Sequence, residues 1–153
     1  MKLVKGIIIF LIINFGALAM GTLLMNNEPQ TTWYASLNKA PWTPPGWLFG
    51  VAWSTIMLCF SIYMAYLYKL KTEASILVLF SIQFVLNVSW NFLFFNKHFI
   101  LLGLICILLL TLVVAKFLFD YKATLKYKSL LILPYLVWLC IATSLNAYIF
   151  IYN

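Results

Sequence analysis

Few residues of this 153-residue chain have side chains suited to acid–base or nucleophilic chemistry, and none is arranged for it. The acidic residues are Glu28, Glu73 and Asp120, the one histidine is His98, and the cysteines Cys59, Cys106 and Cys140 show no CxxC spacing. No carboxylate pair, nucleophile with its base, or metal constellation arises, so hydrolysis and proton transport through buried acids lack their usual carriers. Metal ligation is not expected. The cysteines read as small core residues, and His98, in the turn Asn96-Lys97-His98, as a solvated loop residue.

Amides and aromatic rings remain. In "SIQFVLNVSWNFLFF", Gln83, Asn87, Trp90, Asn91 and Phe94 recur every three or four residues, which places them on one helical face. In "LPYLVWLCIATSLNAYIF", Tyr135, Trp138, Ala142, Leu145, Asn146 and Ile149 form a second face, with Ala142 leaving room beside the Trp138 ring. Pro134 is positioned to kink the start of that helix. Trp47, Gly50, Trp53, Ser54 and Met57 suggest a third face. Such faces can hydrogen-bond across helices or stack against a flat ligand.

The elements that position these faces follow from composition. Hydrophobic residues make up 65% of the chain, charged residues 8%, and the mean hydropathy is +1.03, far from the values of soluble domains. An amide facing lipid is costly, so each stripe must look into a bundle. The chain divides into five apolar runs, roughly 6–25, 47–68, 76–95, 99–119 and 130–152, each near the roughly 20 residues a spanning helix needs. The fold expected is an all-α integral membrane protein, a single bundle of five transmembrane helices over residues 1–153. Lys2 and Lys5 before the first run also fit a signal peptide, but that run continues to spanning length. Within it, Ala17 and Gly21 form a small-xxx-small pair, suited to packing inside one chain or to dimerisation.

All ten basic residues are lysines, and eight fall at one set of run ends: Lys2, Lys5, Lys69, Lys71, Lys116, Lys122, Lys126 and Lys128. Lys39 and Lys97 fall at the other. Positive residues stay cytoplasmic, so the N-terminus is expected inside. The net charge of +7 then reflects topology and anionic headgroups, and nucleic acid is not an expected partner.

The outer loop, 26–46, and the start of the next run hold four of six tryptophans within "WYASLNKAPWTPPGWLFGVAW". An aromatic belt accounts for Trp33, Tyr34 and Trp42. It does not account for Pro41, Pro44 and Pro45, which stiffen the segment and delay the second helix to Gly46 or Trp47. A stiffened loop over an aromatic interior suits a lid.

"WYASLNKAPWTPPGW" resembles the signature of the translocator protein family, the tryptophan-rich sensory proteins, known in mitochondria as the peripheral benzodiazepine receptor. "LNVSWNFLFF" and "LPYLVWLCIATSLNAYIFIYN" match the same family in order. One departure is Lys39-Ala40-Pro41, where the family has Pro directly after Lys. The resemblance implies a five-helix bundle, commonly a homodimer, with a pocket that accepts porphyrins such as haem and protoporphyrin IX, and isoquinoline carboxamide or benzodiazepine ligands. No covalently bound cofactor is implied. By position the pocket would be lined by Tyr34, Trp53, Asn87, Trp90, Asn91, Trp138, Ala142, Leu145 and Asn146. The family is associated with light-dependent porphyrin breakdown, for which Trp53 and Trp138 are the candidate electron donors. The alternative function is transport of porphyrin or lipid-like ligands. Sterol binding transfers poorly, because "LNAYIFIYN" lacks the basic residue of the family's C-terminal motif. Leu58, Tyr63 and Lys69 match only a loose pattern. The expected location is a bacterial cytoplasmic membrane, in contact with membrane lipids, although some relatives are placed in an outer membrane.

Overall fold

The structure is a computed structural model and describes residues 2–153. Its elements are α1 (Leu3–Leu24), α2 (Thr32–Ser36), α3 (Gly46–Leu70), α4 (Ala74–Asn91), a π turn (Phe92–Asn96), α5 (Ile100–Leu125), a 3-10 segment (Lys126–Ile132) and α6 (Leu133–Tyr152). No strand occurs among the described residues. An apolar solvent leaves the backbone no other partner than itself, so uninterrupted apolar runs close as helices.

Helix ends follow local chemistry. Pro45 precedes α3, which starts at Gly46 as the proline argument requires. Lys69 lies in the last turn of α3 and Lys122 in that of α5, where a cation meets the negative end of the helix dipole. Pro134 lies in the first turn of α6 and so begins the helix, where its missing N–H is not needed. The kink expected from it is therefore absent. Instead α5 and α6 are joined through the 3-10 segment, where Lys126 holds φ 52°, and the two helices fold back on each other.

The five long helices form a closed ring. α1 packs on α3 and α4, α4 on α5, α5 on α6, and α6 with the 3-10 segment returns to α3. The centre is filled by rings: Phe60 meets Tyr63, Phe80, Phe117 and Tyr135 at centroid distances of 5.2–6.1 Å. Outward faces carry Leu101, Leu102, Leu108, Leu109 and Leu112, all exposed, an apolar exterior that only lipid or another apolar surface would cover.

One expectation about faces needs correction. On α3 the buried stripe is Trp53, Ile56, Met57, Phe60, Ser61 and Met64, while Trp47, Gly50 and Ser54 point outward. Trp47 is 70% exposed, so it belongs to the interfacial belt and not to the core. The small pair of α1 is used within the chain: Ala17 and Gly21 are buried, and a Cβ on Gly21 would lie 2.5 Å from Asn91 Nδ2. Gly16 has open space instead. Asn14 donates to Ser61 Oγ at 2.8 Å, tying α1 to α3. Of the cysteines only Cys106 is buried, and Cys140 is exposed on the outer face of α6.

Candidate functional site

The site is built where side chains of α3, α4 and α6 meet beneath the loop that joins α1 to α3. Eight of the nine residues expected there are buried, and Tyr34 is half-buried under its own loop. On α6, the stripe Trp138, Ala142, Leu145 and Asn146 is closed inward. Trp90 Nε1 on α4 donates to Asn146 Oδ1 at 3.3 Å, and Asn146 Nδ2 donates to the Ala142 carbonyl at 2.9 Å. Asn91 Nδ2 donates to the Asn87 carbonyl at 3.1 Å. These bonds fix the indole and both amides in place.

The π turn completes the aromatic wall. Lys97 N–H donates to the Phe92 carbonyl at 3.0 Å, an i to i+5 bond. This wider turn inserts one residue into the helical register. Phe94 and Phe95, within this turn, are both buried. Trp90 stacks with Phe94 at 5.9 Å and meets Phe95 edge-on at 5.5 Å, and Phe95 in turn meets Tyr34 at 5.6 Å. Contact thus runs unbroken from the loop, through Tyr34, Phe95 and Trp90, to Asn146 on α6.

The other expected residues are brought in through neighbours. Trp53 meets Tyr135 edge-on at 6.0 Å, and the Tyr135 hydroxyl accepts from Gln83 Nε2 at 2.6 Å. Trp138 meets Phe49 edge-on at 5.3 Å. Leu145 is buried on the same face as Asn146. Phe49 and Phe95 escaped the sequence reasoning. Phe95 lies four residues after Asn91, so the stripe's own spacing could have found it; Phe49 is only partly buried.

Three polar atoms at this convergence are buried without a hydrogen-bond partner: Trp138 Nε1, Asn91 Oδ1 and Gln83 Oε1. Buried polar groups are nearly always paired. Trp138 thus retains an unused donor and Asn91 an unused acceptor.

The loop above is held at both ends. Asn38 N–H donates to Asn153 Oδ1 at 2.8 Å, and Asn153 Nδ2 donates to the Asn38 carbonyl at 3.2 Å. Trp42 Nε1 donates to Ser144 Oγ at 3.1 Å. At the other end His98 is no free loop residue: Trp33 stacks on it at 3.9 Å with planes 7° apart, and its Nε2 lies 3.7 Å from the buried Glu28 carboxylate. Between these ends Lys39 Nζ donates to the Tyr34 carbonyl at 3.0 Å and lies 4.9 Å from the ring centroid. Burial raises the Tyr34 phenol above its ordinary value of 10.0.

The loose sterol pattern does not form a surface. Tyr63 is fully buried with its hydroxyl donating to the Phe117 carbonyl at 2.8 Å, whereas Leu58 is 48% exposed.

A ring of apolar helices with an aromatic, amide-edged interior and a pinned connecting loop defines an integral membrane protein of the helical-bundle class. The TspO/MBR family model matches residues 8–152, and the chain belongs to that family. It is 35% identical over 156 residues to the tryptophan-rich protein TspO of Archaeoglobus fulgidus, covering 100% of this chain and 97% of that one. It is 35% identical to protein CrtK of Rhodobacter capsulatus over 74% of each chain. The human translocator protein is 32% identical, over 74% of this chain and 70% of its own.

Proposed function

We propose that this protein is a five-span membrane receptor that binds a flat conjugated ring, of the porphyrin class, beneath its outer loop. The observation that carries this reading is the pairing of aromatic walls with unpartnered buried polar atoms, Trp138 Nε1 and Asn91 Oδ1. Rings supply stacking surface, and the two polar atoms supply one donor and one acceptor for a macrocycle's polar edge. Isoquinoline carboxamides, with a flat bicycle and one amide, fit the same requirement. Because the side chains are closely packed, entry requires the loop to lift. Trp53 and Trp138 then stand as the electron donors to a photoexcited porphyrin.

Five long helices of 18 to 26 residues support five crossings. The unbroken helical segment from 100 to 152 supplies two of them, since it reverses at Lys126. The lysine-rich ends gather at one end of the bundle, where Lys71 lies 6.0 Å from the Tyr121 ring centroid and Lys128 4.0 Å from that of Tyr66. That end is assigned to the cytoplasm of a bacterial cell. Transport of the same ligands is the second reading, suggested by the name of the human relative. Amides line the route while Glu28, in the loop, is the one buried charged residue among those described, which favours binding over ion-coupled movement.

The test is a titration of purified protein with protoporphyrin IX and an isoquinoline carboxamide, followed by tryptophan quenching. Saturable quenching of the native protein, weakened by Trp138→Ala and Asn91→Ala, is expected. Unsaturable quenching that both variants leave unchanged overturns the reading. Orientation is checked separately by labelling Gln30→Cys and Thr72→Cys, with the native cysteines replaced by serine, using a reagent that cannot cross the membrane. Only the first should react from outside.

A further inference from the structure

A second concavity lies at the opposite, lysine-rich end, on the surface where α3 meets the 3-10 segment and the start of α6. It is a groove of about 440 Å³. Ile62, Leu131 and Pro134 give it apolar walls, and its inner end reaches Cys59. Its outer end is capped by Lys128, whose ammonium lies 4.0 Å from the Tyr66 ring centroid and 5.8 Å from that of Tyr127. The rings fix the ammonium where the apolar slot begins. Among the described residues the ion pairs are Lys71 with Glu73, Lys116 with Asp120 and His98 with Glu28, so Lys128 has no carboxylate partner.

We propose that this groove is a binding site for one anionic glycerophospholipid of the leaflet at the lysine-rich end. The phosphate sits on Lys128, and an acyl chain lies along the slot. Charge complementarity selects the head, because a partnerless cation held at the membrane interface favours an anionic phosphate over a zwitterion. Dimensions select the tail. Tyr66 and Cys59 are separated by seven positions of one helix, roughly 10 Å at the α-helical rise, so the slot follows the upper part of an acyl chain downward from its ester. Tyr127 and Leu130 are 75% and 63% exposed at the rim, which opens the groove sideways to lipid. The site shares no residue with the pocket under the outer loop, and the reading does not depend on that pocket.

The experiment is native mass spectrometry of the full chain in a neutral detergent. Dioleoylphosphatidylglycerol is offered against an equal amount of dioleoylphosphatidylcholine. One phosphatidylglycerol should be retained in preference. Lys128→Ala should reduce that preference roughly fivefold, the factor one lysine contributes near an anionic surface. Lys122→Ala, outside the groove, should keep it, and Lys128→Arg should preserve it. Should Lys128→Ala not fold, Cys59→Trp carries the test by filling the slot while leaving the charge, and phosphatidylglycerol retention should again fall. Equal losses in Lys128→Ala and Lys122→Ala overturn the site, as does equal retention of the two lipids by the native chain. Displacement of the lipid by free glycerol phosphate at matched concentration overturns the role of the acyl slot.

Discussion

Replacing Gly21 by alanine tests the link between the α1 interface and the candidate pocket, since the residue touches no ligand and lies against one that would. The added Cβ would stand 2.5 Å from Asn91 Nδ2, closer than a real methyl comes, and 3.2 Å from Asn91 Cγ, a tight contact, so the Asn91 amide must turn away. That breaks its bond to the Asn87 carbonyl. Stranding a buried amide costs about 1 to 3 kcal/mol, crowding a packed interface costs a similar amount, and alanine in place of helical glycine returns about 1 kcal/mol. The net expectation is a loss of about 1 to 5 kcal/mol. Gly16→Ala is the control, because nothing lies within 4 Å of its added Cβ; it should be neutral or stabilising by up to about 1 kcal/mol. Unfolding in detergent micelles, followed by near-ultraviolet circular dichroism, reads both. Asn91→Ala in the Gly21→Ala background should recover part of the loss, a coupling of about 1 kcal/mol or more. Porphyrin affinity should fall in Gly21→Ala although no pocket residue has changed. Equal stability of the two glycine variants, or strict additivity in the cycle, would refute the contact as described.

Ala142→Thr adds bulk beside the Asn146 amide and should weaken ring-ligand binding by about tenfold, near 1.4 kcal/mol, in a fluorescence titration, with the bundle still folded. Trp53→Phe and Trp138→Phe should retain protoporphyrin IX yet slow its loss of absorbance under steady light at full occupancy, because a benzene ring is harder to oxidise than indole; equal rates in both and in the double variant would remove the tryptophans from the photochemistry. The Tyr34 phenol, raised by burial, favours the closed loop while it is protonated. That contribution is complete below the phenol's ordinary value of 10.0 and lost as pH climbs through the higher folded value, so hydrogen exchange of residues 32–36, corrected for its intrinsic pH dependence, should show constant protection up to about pH 10 and falling protection above it. His98→Ala removes the surface on which Trp33 stacks and should speed exchange across 26–36 while α6 stays protected.

The stripes of α4 and α6 were legible because amides in an apolar run have one tolerable direction, and spacing alone then fixes the face. The same reasoning misplaced the α3 stripe, whose aromatic residues serve two masters: Trp53 the core and Trp47 the membrane interface. Spacing cannot separate those roles within one helix; the angle at which α1 and α6 press on α3 does. Phe95 follows Asn91 at the same four-residue interval and was open to the same reasoning, which stopped the stripe at Phe94. Glu28, His98 and Trp33 meet only after α1 and α4 are side by side, so no local window shows that a buried carboxylate faces an imidazole there. The membrane setting and the family were carried by composition and ordered blocks, which survive such local misjudgements.

The placing of α1 in the helix ring bears on how the protein is made. Helices α3 and α4 are consecutive in the chain, joined by a three-residue connection, and their Phe60 and Phe80 rings stack at 6.0 Å. Yet α1 is wedged against both, bonded to Ser61 on one side and pressed on Asn91 on the other. Because α1 precedes both in the chain, Asn14 has no Ser61 partner until α3 is in place, and Gly21 stays uncovered until α4 follows. A hairpin of α3 and α4 closed on itself would leave Asn14 and Gly21 without these partners, so α1 is a wedge on which the packing of the other two depends.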